Sequence, residues 1–209
     1  RGALEAGRLP HALLFTGPSG VGKKLVAKAL AQALLCTDAG KDKPCGSCNG
    51  CLKVAGDLHP DILFVGVDAE TKSREILIDQ IQELGVTLSR KPGEGGRTVV
   101  LMDEADRLNF PAQNAFLKSL EEPAGPTIFL LIASDPNRLL PTIRSRCQTV
   151  RFGSLSAVDT EDILMAGDDF SPYEASEYAR LSQGSVEEAL LLKDGGYREV
   201  VQEALFLTG

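Results

Sequence analysis

The sequence predicts an α/β fold, a parallel sheet with helices on both faces, followed by a small all-helical domain. Two observations predict it. Between Ala12 and Phe152 short apolar runs alternate with segments of helical periodicity, and after Phe152 helical patterns continue with no strand-like run among them. A third sharpens it: a glycine-rich loop, Gly17 to Gly22, joins the first apolar run directly to the first helical segment.

Ala12-Leu13-Leu14-Phe15 is the first strand, short and apolar enough to be buried on both faces. Lys23 to Leu35 is the first helix, with apolar residues at Leu25, Val26, Ala29, Leu30, Ala33 and Leu34. Lys41 to Cys51 is a polar insert bearing cysteines and glycines. The Pro60 break opens the second strand, Asp61 to Val65. Ile76 to Leu88 has helical periodicity, and the glycine-rich turn Lys91 to Arg97 separates it from the third strand, Thr98 to Met102. Gln113 to Glu121, with Ala115, Phe116 and Leu120 apolar, is a helix ended by Pro123; Thr127 to Ala133 and Thr149 to Phe152 are the fourth and fifth strands. Ser156 to Met165, Pro172 to Ser182, Val186 to Lys193 and Tyr197 to Leu207 all read as helices, which places a domain boundary near Gly153.

Composition narrows the function classes. A chain of 209 residues holds one α/β domain and a smaller one. The longest apolar runs, such as Ile128 to Ala133, are too short to span a bilayer, and the start shows no signal-peptide pattern, so no membrane partner and a cytoplasmic location are expected. A start at Arg1 rather than Met suggests N-terminal trimming. A net charge of −7 argues against a whole-surface nucleic-acid platform. Five cysteines without secretory features point to a reducing compartment, where clustered thiols serve as metal ligands or structural groups rather than disulfides.

Gly17-Pro18-Ser19-Gly20-Val21-Gly22-Lys23-Lys24 matches the phosphate-binding pattern G-x-x-x-x-G-K-[ST] at every fixed position but the last. In a working loop the glycines turn backbone N–H groups onto phosphate oxygens, the lysine reaches the terminal phosphates, and the hydroxyl ligates Mg²⁺. Here Lys24 stands in the place of the metal ligand. An ammonium about 4 Å from even a single positive charge is opposed by roughly 4 kcal/mol at an effective dielectric near 20, so Lys24 is expected to swing into water. ATP with Mg²⁺ is therefore a doubtful cofactor. The third strand ends in Asp103-Glu104, carboxylates that in such proteins hold the Mg²⁺ shell and polarise the attacking water; a plain strand-end turn is the alternative, weakened by the glycine loop upstream.

Cys36-x8-Cys45-x2-Cys48-x2-Cys51 has the spacing of a four-thiolate tetrahedral Zn²⁺ site, which leaves no open position and is structural; four unrelated free cysteines are the alternative. His59 reads as a loop residue rather than a substitute ligand. Near the fifth strand, Arg144 reads as a simple surface charge and Cys147 as a small buried hydrophobe.

Taken in order, the glycine loop, the cysteine insert, Asp103-Glu104-Ala105-Asp106, the run from Asn114 to Pro123 and Ser145-Arg146-Cys147 resemble the AAA+ subunits of bacterial DNA polymerase III clamp loaders over nearly the whole chain. The resemblance implies a P-loop NTPase with a RecA-like domain over 1–153, carrying the zinc insert at 36–51, and a helical lid over 154–209. By the same resemblance the family's C-terminal collar is expected to be absent from this chain. It makes Arg146 an arginine finger acting in trans on a neighbour's γ-phosphate, and puts Ser134 at the sensor 1 position and Glu187 where a sensor 2 arginine would stand.

Two kinds of subunit in that family carry the zinc insert, the ATP-hydrolysing gamma/tau kind and one often catalytically silent. His59-Pro60-Asp61, Asp106, Lys24 and Glu187 resemble the silent kind. The resemblance thus implies a component of the DNA polymerase III holoenzyme, itself a nucleotidyltransferase, whose isolated chain is not a competent ATPase. Its implied partners are gamma/tau and delta subunits in a hetero-pentameric ring, with the sliding clamp and primed DNA reached through the complex. An active gamma/tau-type ATPase and a zinc-dependent binding module remain the alternatives.

Overall fold

The computed structural model describes residues 9–40, 42–68, 74–94, 96–167 and 169–195. The chain divides into two compact units, one formed by Arg1–Thr16 and Lys23–Arg151, the other by Gly17–Gly22 and Phe152–Gly209.

Among the described residues the first unit holds five parallel strands: β1 (Ala12–Thr16), β2 (Ile62–Val65), β3 (Thr98–Met102), β4 (Thr127–Ala133) and β5 (Gln148–Arg151), in the order β2-β3-β4-β1-β5. Every residue of β1, β3 and β4 is buried, as continuous apolar runs in the centre of a parallel sheet must be. The edge strand β5 begins one residue earlier than its apolar pattern suggests, and Gln148, Thr149 and Arg151 are exposed. Around the sheet run α1 (Lys23–Leu34), α2 (Asn49–Ala55), α3 (Ile78–Leu88), α4 (Phe110–Glu121) and α5 (Pro141–Arg144). Phe116 of α4 and Phe129 of β4, both fully buried, meet edge to face with ring centroids 5.4 Å apart.

Three local expectations need correction. The buried face of α1 carries Ala27, Ala31 and Ala33, while Leu25 and Val26 are exposed, because small side chains let the helix settle on neighbouring elements. Helix α4 starts at Phe110 rather than Gln113: the Asn109 side chain accepts the Ala112 N–H at 2.9 Å, and Pro111 occupies the first turn, where its missing N–H costs nothing. A helix, α2, begins in the last three residues of the insert and runs beyond it to Ala55, concealed at its start by cysteine and glycine.

In the second unit, α6 (Ala157–Ala166), α7 (Pro172–Leu181) and α8 (Val186–Asp194) each begin behind a serine cap, Ser156, Ser171 and Ser185, whose side chains accept N–H groups three residues on. At Ser171 the Glu174 side chain reaches back to complete a capping box. Leu164, Phe170, Ala175, Tyr178, Ala179 and Ala189 form the core, and the Lys193 ammonium lies 4.2 Å from the Phe170 ring centroid. The helix expected over 197–207 lies outside the described residues. Among the described residues no helix is long and apolar enough to cross a membrane.

Candidate functional site

The glycine loop has the backbone its sequence demands. Gly17, Gly20 and Gly22 have φ of 144°, 72° and 88°, a region L side chains rarely enter. Space adds a second constraint: a Cβ on Gly17 would strike the Phe152 carbonyl, and one on Gly20 would overlap Ser185 Oγ and lie 2.8 Å from Glu187 N. The Val186 N–H donates to the Gly20 carbonyl at 3.0 Å, so the loop is fastened to the start of α8. Glu187 sits in that first turn, beside the loop.

The two lysines that open α1 have different fates. Lys23 is buried, and its Nζ donates to Ser134 Oγ at 3.3 Å, joining the loop lysine to the end of β4. Lys24 remains largely exposed, and its Nζ lies 2.9 Å from Asp103 Oδ2. The hydrogen bond to Asp103 raises the Lys24 pKa, burial opposes the rise, and the charges of Asp103, Asp57 and Glu104 add to it. The sequence reading weighed Lys24 only against a metal ion and missed the carboxylate within reach.

Asp103 Oδ1 meanwhile accepts the N–H of Glu104, whose backbone is left-handed with φ of 48°. The Glu104 carboxylate lies 3.6 Å from Arg107 Nε. Asp106 Oδ2 accepts the Asp135 N–H at 3.0 Å and ties the turn after β3 to the turn after β4.

Gln113 is a site residue that sequence reasoning missed. It is buried, its Nε2 donates to the carbonyls of Leu108 and Arg138, and its Oε1 accepts the Leu140 N–H at 2.7 Å. One amide thereby joins the segment after Asp103, the segment after Ser134 and the start of α5. A polar residue in a helix reads as solvent-facing; its sequence spacing, three before Phe116, was the available signal.

Beyond α5, Arg146 Nη2 lies 2.7 Å from Glu121 Oε1 and Nη1 donates to the Thr142 carbonyl at 3.0 Å. Arg144 is more than a surface charge: Nη1 donates to Asn137 Oδ1 at 3.3 Å, and Nε is enclosed with no hydrogen-bond partner among the described residues. Cys147 is buried, and burial pushes its thiol up to about 11.

The insert brings Cys36, Cys45, Cys48 and Cys51 together, their sulfurs all within 4.8 Å of one another. Cys36–Cys48 and Cys45–Cys51 sulfur separations are 3.8 and 3.9 Å. A tetrahedron with Zn–S bonds of about 2.3 Å has edges of about 3.8 Å, so the four thiols fit zinc. Backbone N–H groups of Cys48 and Cys51 point at Cys45 and Cys48 sulfurs, favouring thiolates. Cys48 is drawn down to about 5, first by the Thr37 hydroxyl and then by the Cys51 N–H, whereas burial pushes Cys51 up to about 12. The cluster is bound to α1: Gln32 Nε2 donates to the Cys51 carbonyl at 2.9 Å, and Gly50 packs on the Leu35 carbonyl too closely for a Cβ. His59 instead accepts the Asp61 N–H through Nδ1.

Residues 1–156 match the family profile described as "DNA polymerase III, delta subunit". The chain belongs to that DNA polymerase III family. It is 39% identical over 190 residues to DNA polymerase III subunit delta′ of Pseudomonas aeruginosa, covering 90% of this chain and 57% of the relative. Against delta′ of Bacillus subtilis the identity is 35% over 197 residues, covering 94% and 58%. The chain spans less than three fifths of the length of these relatives. A DNA polymerase III gamma subunit-related protein from Thermotoga maritima shares the fold, with a TM-score of 0.59 at 22% identity over 91% of this chain and 57% of that one. The α/β architecture expected from the sequence is thus the fold that the two chains share.

Proposed function

We propose that the chain is part of a delta′ subunit of the DNA polymerase III clamp loader. In this reading it hydrolyses no ATP itself and supplies Arg146 to the active site of a neighbouring gamma/tau-type ATPase during loading of the sliding clamp onto primed DNA. The observation that carries the reading is the 2.9 Å ion pair between Lys24 and Asp103. A tethered ammonium occupies the carboxylate that would otherwise hold Mg²⁺, and the hydroxyl that would complete the metal's shell is missing. Glu187 beside the loop adds a negative charge where a phosphate would need a positive one.

The domain limits 1–153 and 154–209, structural Zn²⁺ on Cys36, Cys45, Cys48 and Cys51, a ring shared with gamma/tau and delta subunits, and a cytoplasmic location belong to the same proposal. Bound zinc would staple the insert to α1 and supply no reaction chemistry.

A second reading, an active gamma/tau-type ATPase, is favoured by the loop glycines, which keep the conformations phosphate binding needs. Two measurements separate the readings. Titration of the protein with a fluorescent ATP analogue in Mg²⁺ is expected to give no saturable binding; micromolar affinity with turnover would establish the second reading. Arg146→Ala in the full-length protein is expected to leave assembly intact and lower the ATPase rate of the reconstituted complex, where a finger contributes about 10³ to 10⁵ to its own site.

A further inference from the structure

The arm of Arg146 is fastened from two sides. Nη2 meets Glu121 Oε1 at 2.7 Å, and Nη1 meets the Thr142 carbonyl at 3.0 Å. Both anchors stand on elements held by the core: Glu121 ends α4 directly after buried Leu120, and Thr142 precedes fully buried Ile143 in α5. A guanidinium carries five N–H donors in one rigid plane, and these two contacts use two of them. The Arg146 side chain is 36% exposed, so its remaining donors can face a ligand arriving from solvent.

We propose that Glu121 is a positioning residue for Arg146, holding the guanidinium in one orientation so that its spare N–H groups meet the anionic phosphates of a nucleoside triphosphate bound to a neighbouring subunit. This rests on the arginine-finger reading. An untethered arginine samples many rotamers, and ordering it at the moment of reaction subtracts from the rate. An exposed ion pair holds its partners only weakly, so Glu121 can orient Arg146 without sequestering it from a phosphate, whose charge-assisted forked bonds are stronger.

The test uses the full-length protein in its reconstituted clamp-loader complex, with steady-state ATPase kcat and KM measured for Glu121→Ala, Glu121→Gln, Arg146→Ala and the Glu121→Ala/Arg146→Ala double variant. Glu121→Ala is expected to lower kcat about two- to fivefold, the range of an exposed ion pair, with KM unchanged. Glu121→Gln, whose amide oxygen still accepts from Nη2, should stay within about twofold of the parent. In the Arg146→Ala background Glu121→Ala should cost nothing more. If Arg146→Ala lowers kcat but Glu121→Ala leaves it unchanged, raises it, or lowers it equally with and without Arg146, the positioning role is overturned and the finger stands. If Arg146→Ala has no effect, the finger reading falls and the positioning role with it.

Discussion

Replacing Lys24 by threonine should return the glycine loop to a metal-competent form, and the structure sets the scale of the gain. The ammonium lies 2.9 Å from Asp103 Oδ2. A Mg²⁺ on the same oxygen, at its usual distance of about 2.1 Å, would stand no more than about 5 Å from that ammonium. Like charges of one and two units at about 5 Å repel by about 1.7 kcal/mol even at the dielectric of water, a factor of about 15 in affinity. Water is the appropriate limit because Lys24 is 66% exposed. If the exposed ammonium instead leaves Asp103, the metal's cost in the parent protein is the broken ion pair, up to about 1 kcal/mol. Lys24→Thr is therefore expected to tighten Mg²⁺-dependent binding of a fluorescent ATP analogue about 5- to 15-fold. Lys24→Met, which removes the charge without adding a hydroxyl, should recover part of that gain. Equal Mg²⁺ dependence in the parent and both variants would refute the idea that this ammonium governs the site.

Cys45→Ser should abolish stoichiometric zinc, measured by atomic emission, and loosen the insert while the far-ultraviolet circular dichroism of the α/β unit persists; unchanged metal content would remove the cluster from the list of zinc sites. Gln113→Leu should destabilise the protein by about 1 to 3 kcal/mol in urea denaturation, since it strands the Leu140 N–H and two carbonyls that the amide now satisfies. Phe116→Ala, removing a fully buried ring and its edge-to-face contact with Phe129, should cost about 3 to 5 kcal/mol by the same measurement. Alkylation of Cys147 by iodoacetamide at pH 8 should be slow until the protein unfolds. Burial there raises the thiol's pKa to about 11, so the native side chain stays protonated as pH climbs past the ordinary value.

Much of this was legible because the signals were local. The apolar runs at β1, β3 and β4 could only be strands buried on both faces, and the glycine loop needed a strand before it and a helix after it. The four cysteines announced their proximity through spacing alone. What escaped depended on partners distant in sequence. Lys24 was read from the ligand it displaces, but its position is set by Asp103, at the end of another strand. Gln113 serves three backbone segments that no periodicity connects. Helix α1 misled in another way: leucine and valine dominate a hydrophobicity reading, yet Ala27, Ala31 and Ala33 face inward, where close approach matters more than side-chain area. Arg144 looked like a surface charge because its sequence context gives no sign that its Nε is enclosed on folding.

The order of the sheet also bears on how the chain is made. β1 lies between β4 and β5, with Ala12 paired to Phe129 and Leu13 to Gln148, partners more than a hundred residues downstream. At synthesis rates of roughly 5–20 residues per second, β1 leaves the ribosome roughly 5–20 s before the strand that first covers its edge. Through that interval five residues destined for complete burial stay unpaired, in a topology whose long-range parallel pairings are intrinsically slow to form. A chain stalled before β4 would present this strand to other nascent chains, making translation speed and holding chaperones determinants of its yield.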